Sequence, residues 1–138
     1  MRICQDDAGG LLIQGEREWD DYVVRATIVP HLARSAGIAA CVQGTRRFYA
    51  LAVCDDGQAR LIKELDGRQV LAQATFDWKL DEPIEFSLST QGARLIGSLN
   101  GQPLFDVQDT TAPLLSGAIA LFIEAGRLDC SAIRVTPS

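Results

Sequence analysis

Ile84-Glu85-Phe86-Ser87-Leu88-Ser89-Thr90-Gln91-Gly92-Ala93-Arg94-Leu95-Ile96-Gly97-Ser98-Leu99-Asn100-Gly101-Gln102-Pro103-Leu104-Phe105-Asp106-Val107 is the stretch that decides the fold. Ile84, Phe86 and Leu88 alternate with Glu85, Ser87 and Ser89, the period-two pattern of a strand with one buried face. Gln91-Gly92 turns the chain into Arg94–Leu99, and Asn100-Gly101 turns it again into Gln102–Val107. Asn-Gly is a strong hairpin signal because both central residues of the tight turn take positive φ.

The same grammar runs in both directions. Leu11-Leu12-Ile13 lies between Gly9-Gly10 and Gly15. Tyr22, Val24, Ala26 and Ile28 alternate with Asp21, Val23, Arg25 and Thr27, and Pro30 is expected to stop that strand. Ala36–Gln43 and Phe48–Cys54 are joined by Gly44-Thr45-Arg46-Arg47. Asp55-Asp56-Gly57 leads into Ala59–Leu65, and Asp66-Gly67 into Val70–Phe76. Gly117–Ile123 and Asp129–Val135 complete the set. Together these are roughly eleven strands at the 8–12-residue spacing of an all-β sandwich or barrel. No long stretch has the helical apolar period, so helix amounts to a turn or two at most. Ala118–Ile123 is apolar at every position, which reads as a central strand covered on both sides or as a contact surface.

Composition bounds the function. The chain has 138 residues, 47% hydrophobic and 22% charged, which fits one domain spanning 1–138. Mean hydropathy is near zero, and no apolar run approaches the ~20 residues of a membrane span. The net charge is −5, and apart from Arg46-Arg47 the basic residues are scattered, which argues against nucleic acid. Met1-Arg2-Ile3-Cys4-Gln5-Asp6-Asp7 lacks a signal-peptide core, so a cytoplasmic chain, or a piece of a longer one, is expected. Cys4, Cys41, Cys54 and Cys130 are too few and too scattered for a disulfide framework or a zinc knuckle, and free structural thiols are expected. Cys4 and Cys130 sit near chain ends that often pair in sandwiches.

The order of these features resembles the concanavalin A-like lectin/glucanase and laminin-G-like jelly rolls. Trp19-Asp20-Asp21-Tyr22 is similar to their opening W-x-D-Y. Ala36-Gly37-Ile38-Ala39-Ala40 with Phe48-Tyr49-Ala50-Leu51 is similar to their next hairpin, and Leu61-Ile62-Lys63 to the L-x-K strand after it. Gly92 with Asn100-Gly101, and Asp109 with Gly117-Ala118-Ile119-Ala120-Leu121, resemble their last two motifs. The resemblance implies an antiparallel two-sheet jelly-roll sandwich, with ligands across a concave sheet or at its rim. Many relatives carry Arg where Cys41 stands. Pro30-His31-Leu32 and Val42–Arg47 also resemble accessory domains found with bacterial ADP-ribosylglycohydrolases.

Candidate chemistry is sparse. A glycosidase needs two carboxylates on one face. Asp81 and Glu85 come nearest, and Pro83 interrupts them, so they read as a solvated outer face. Glu64 and Asp66 read as strand-end turn residues. His31 is the single histidine, placed in a loop, and no G-x-S-x-G elbow accompanies it. No catalytic residue and no metal site is therefore assigned. Structural calcium at Asp6-Asp7, Asp20-Asp21 or Asp55-Asp56 competes with ordinary turn chemistry, and no cofactor is expected.

A sugar site combines an aromatic platform with fixed polar groups. Trp78, Gln43, Arg46, Arg47 and Lys63 are the candidates. Trp19 and Tyr49 are expected in the core, with Tyr49 joined there by Leu51 and Val53. Arg47 and Trp78 are expected to share one site for an anionic or sugar-phosphate ligand. The reading is a non-catalytic binding or accessory module for a carbohydrate or sugar-phosphate-like ligand. The alternatives are a structural domain packing on a catalytic partner or a second copy, and a glycoside hydrolase.

Overall fold

The computed structural model describes residues 2–5, 10–14, 21–32, 34–44, 46–115, 117–124 and 126–137. Trp19, Asp6, Asp7 and Asp20 lie outside them. The described residues form twelve strands and no helix: β1 (Arg2–Gln5), β2 (Gly10–Gln14), β3 (Tyr22–Leu32), β4 (Ser35–Gly44), β5 (Arg47–Cys54), β6 (Gln58–Leu65), β7 (Arg68–Thr75), β8 (Ile84–Gln91), β9 (Arg94–Leu99), β10 (Gln102–Gln108), β11 (Ala118–Glu124) and β12 (Gly126–Pro137). They pair antiparallel in two six-stranded sheets. The first runs β1-β12-β3-β8-β9-β10 and the second β2-β11-β4-β5-β6-β7. This is the expected two-sheet sandwich.

Alternation sets the core. Val24, Ala26 and Ile28 of β3 and Ile84, Phe86 and Leu88 of β8 meet Tyr49, Leu51 and Val53 of β5 and Ile119, Leu121 and Ile123 of β11 between the sheets. Asn100 and Gly101 both take positive φ in the β9–β10 turn, as the Asn-Gly pair demands.

Three expectations need correction. β1 is an additional strand, formed where the chain's ends pair, with Cys4 opposite Arg127. Pro30 does not stop β3, which continues to Leu32. The β8 pairing ends at Ile28–Ile84, so no β8 residue needs a donor from Pro30, while its carbonyl accepts the Asp81 N–H at 2.7 Å. Finally, β5 is buried on both faces. Phe48, Ala50 and Ala52 join Ala39, Val42, Ile62, Ala118, Ala120 and Phe122 in a second apolar cluster on the outer side of the second sheet. β11 contributes to both clusters, so its uniform apolarity is that of a central strand lying between β2 and β4.

Candidate functional site

The residues singled out from sequence do not converge. Arg46 and Arg47 are exposed at the β4–β5 turn, with Gln43 half-buried near them. Trp78 is half-buried at the other end of β5, its indole N–H donating to the Cys54 carbonyl at 2.7 Å and its ring packed on the core. Arg47 and Cys54 bound an eight-residue strand, so roughly 23 Å separates the two ends at the usual rise. Arg47 and Trp78 therefore do not form one site.

Lys63 is committed to the interior. It is in phase with Ala59 and Leu61, so its side chain points between the sheets, where it is 2% exposed. Its ammonium lies 2.7 Å from the Asp109 carboxylate and donates to the carbonyls of Ala112, at 3.0 Å, and Thr111. Asp109 also accepts the Tyr49 hydroxyl at 2.6 Å and the Thr111 N–H at 3.1 Å, while Tyr49 accepts the Leu114 N–H at 2.9 Å. Burial pushes the Asp109 carboxyl up, and the bonds from Lys63, Tyr49 and Thr111 overcome that and hold it below its usual range. The network fastens the β10–β11 connection onto β5 and β6. It is structural.

Tyr22 plays a matching role at the other end of that connection. Its hydroxyl faces the carbonyls of Gly117 and Ala118 and accepts the Cys41 N–H at 2.8 Å. Cys41 takes a φ of 53° where the β4 pairing slips. Its thiol is buried, and burial raises its pKa to about 11. Cys54 and Cys130 are also buried. Native protein at neutral pH is expected to leave these three thiols unlabelled by iodoacetamide. Denatured, non-reduced protein should expose all of them, and a Cys130 crosslink in mass spectrometry would contradict this.

The outer face of the second sheet is filled by its own side chains. Phe48 and Phe122 meet at 6.0 Å over a floor of alanines, all 3% exposed or less. Arg68 lies 5.7 Å above the Phe122 ring and binds Glu64 at 2.5 Å and both oxygens of Glu124 at 3.0 and 3.2 Å. Arg68 opens the edge strand β7 and Glu124 closes β11, and their ion pair closes over the aromatic layer. A ligand laid here would have to displace them.

The outer face of the first sheet is open. Arg25 and Thr27 of β3, Glu85 and Ser87 of β8, Ser98 of β9 and Arg134 of β12 project from it around a groove of about 550 Å³. They share a face because Arg25 is opposite both Ser87 and Arg134, Thr27 opposite Glu85, and Ser87 opposite Ser98. The floor is the backbone of strands whose other face is core, so these groups sit on rigid elements.

Several other polar residues are engaged at turns and strand ends. Asp56 pairs with Arg60 at 2.5 Å and Asp21 accepts the Gly92 N–H at 2.6 Å. His31, expected in a loop, lies in β3 because that strand runs past Pro30, and it meets Asp81 at 2.7 Å. Among the described residues no three His, Cys, Asp or Glu side chains gather as metal ligands would.

No family model and no curated protein matches the sequence. Solved structures do. The carbohydrate binding module CBM66 from Bacillus subtilis is similar at TM-score 0.85 and 12% identity, over 95% of this chain and 83% of that one. Sheep galectin-11 in complex with glycerol is similar at 0.65 and 11%, over 94% and 98%. The GH43 protein BlXynB from Bacillus licheniformis is similar at 0.72 and 12%, over 99% of this chain and 32% of that one. At such identities the likeness speaks to architecture: this chain shares the two-sheet jelly-roll fold of these structures.

Proposed function

We propose that this domain is a non-catalytic carbohydrate-binding module whose ligand lies in the groove on the outer face of the first sheet. The observation that carries the reading is the groove itself, an open trough of hydroxyl, guanidinium and carboxylate groups set on paired strands. Sugars present hydroxyl edges that need several convergent donors and acceptors, and groups held on strands lose little freedom when they bind. A carbohydrate binding module and a galectin among the similar structures support a sugar ligand. The GH43 chain, of which the likeness covers about a third, supports a place for this fold as one part of a larger protein. Among the described lining residues Glu85 is the one carboxylate, and glycosidic cleavage takes two.

Ser87 and Ser98 point away from the core, so Ser87→Trp fills the groove without disturbing packing. In affinity electrophoresis against immobilised glycans, the parent domain is expected to be retarded and Ser87→Trp to run free with an unchanged melting temperature. Retardation that survives Ser87→Trp and vanishes with Arg46→Ala or Arg47→Ala would move the site to the β4–β5 rim. Release of reducing sugar by the parent would overturn the non-catalytic reading.

A further inference from the structure

We infer that the glycan held in this groove is acidic, and that Arg25 and Arg134 together receive one of its carboxylate or sulfate groups. This rests on the groove being the glycan site. Arg25 and Arg134 are direct partners across the β3–β12 ladder. Like charges placed opposite each other on neighbouring strands repel and destabilise the pair. Elsewhere a surface arginine has a carboxylate beside it, as Arg60 has Asp56, Arg94 has Asp106, and Arg68 has Glu64 and Glu124. Among the described residues no carboxylate pairs with Arg25 or Arg134. Arg25 donates to the Thr136 hydroxyl at 3.3 Å, and no ion pair joins either guanidinium to Glu85, although Glu85 lines the same groove.

The surplus of positive charge is local, since the chain as a whole carries −5. Both residues are exposed at the groove. Guanidinium forks match the two oxygens of a carboxylate or sulfate, and two adjacent forks suit one oxyanion with hydroxyl contacts on either side. Ser87, Ser98 and Thr27 supply those hydroxyls. The arrangement repels its own members until an anion arrives, as a binding site for one does.

Affinity electrophoresis in gels of polygalacturonate (carboxylate), heparin (sulfate) and neutral dextran tests this. At least one acidic gel is expected to retard the domain, dextran is not, and added salt should weaken the retardation. Which acidic gel acts identifies the oxyanion. Arg25→Gln and Arg134→Gln should each weaken the interaction about tenfold or more, the usual loss for a charge-assisted contact. Arg134→Gln should also raise the melting temperature slightly, because it removes repulsion and no favourable bond.

Equal retardation by dextran, abolished by Ser87→Trp and indifferent to Arg134→Gln, would overturn the acidic ligand and leave the groove reading standing. Acidic retardation indifferent to both substitutions would overturn both. A lowered melting temperature in Arg134→Gln would show that Arg134 stabilises the fold, and comparable binding of a random oligonucleotide would show mere polyanion attraction. Either result would sink the inference.

Discussion

Replacing Lys63 with alanine is expected to destabilise the domain by about 3–5 kcal/mol at neutral pH, the usual cost of removing one partner from a buried pair. Lys63 and Asp109 are 2% and 5% exposed. Without the ammonium, Asp109 keeps the bonds from Tyr49 and Thr111 but loses its counter-charge in a site where burial already raises its pKa. The carbonyls of Thr111 and Ala112 lose a donor at the same time. Much of the ~5–15 kcal/mol that holds an ordinary domain together would go.

The pH dependence follows from the direction of the Asp109 shift. In the parent its folded pKa is lowered, so its contribution is present above the unfolded value and is lost as pH falls through the folded one. In Lys63→Ala, burial is left opposed by fewer bonds, so the carboxyl protonates more readily and the buried charge disappears. The deficit relative to the parent should therefore narrow as pH approaches the unfolded Asp value of about 3.9. Urea titrations at neutral pH and near that value check this. A deficit below about 1 kcal/mol, or one that widens on acidification, would show that solvent screens the pair.

Lys63 also shows what the sequence displays and what it hides. Its inward direction was legible, because Ala59, Leu61 and Lys63 alternate in one phase while Gln58, Arg60 and Ile62 take the other. A lysine at the end of a strand nonetheless reads as a solvent-facing donor unless its partner is known. That partner, Asp109, follows β10 in a connection whose path no periodicity describes. The strands themselves were legible because alternation and turn residues are local signals. β1 was not, since Arg2-Ile3-Cys4-Gln5 is too short to show a period and becomes a strand only by lying against β12.

The groove illustrates the same limit. Arg46-Arg47 stood out as adjacent letters, whereas Arg25 and Arg134 stand near opposite ends of the chain and become neighbours only through the β3–β12 register. Trp78 reads from sequence as a candidate platform, yet its N–H finds the Cys54 carbonyl and its ring packs on the core. Aromatic residues with a polar atom are often placed by one such bond.

Gly37→Ala is expected to prevent stable folding, or to cost about 4 kcal/mol or more, in the range reserved for changes with a structural cause. Gly37 sits in β4 opposite Ala52 of β5 and Phe122 of β11. A Cβ there would stand 1.9 Å from the Leu51 carbonyl oxygen and 2.8 Å from the Ala52 Cα. Both are backbone atoms of a paired strand and cannot rotate away, so β4 and β5 would have to separate and their ladder would break. Gly44 provides the control. It lies at the end of the same strand with nothing within 4 Å of an added Cβ, so Gly44→Ala should stay within about 0.5 kcal/mol of the parent. Thermal melts of the two variants compare them directly, and a Gly37→Ala melt close to the parent's would mean that the two strands yield easily. The expected loss bears on function as well as stability. The tight β4–β5 approach lies beside Ala39, Ala50 and Ala52, the floor on which Phe48 and Phe122 rest. Small residues there let the aromatic layer sink in, and the sunken layer lets Arg68 and Glu124 close over it. Closure on that side leaves the first sheet as the face that carries an open groove.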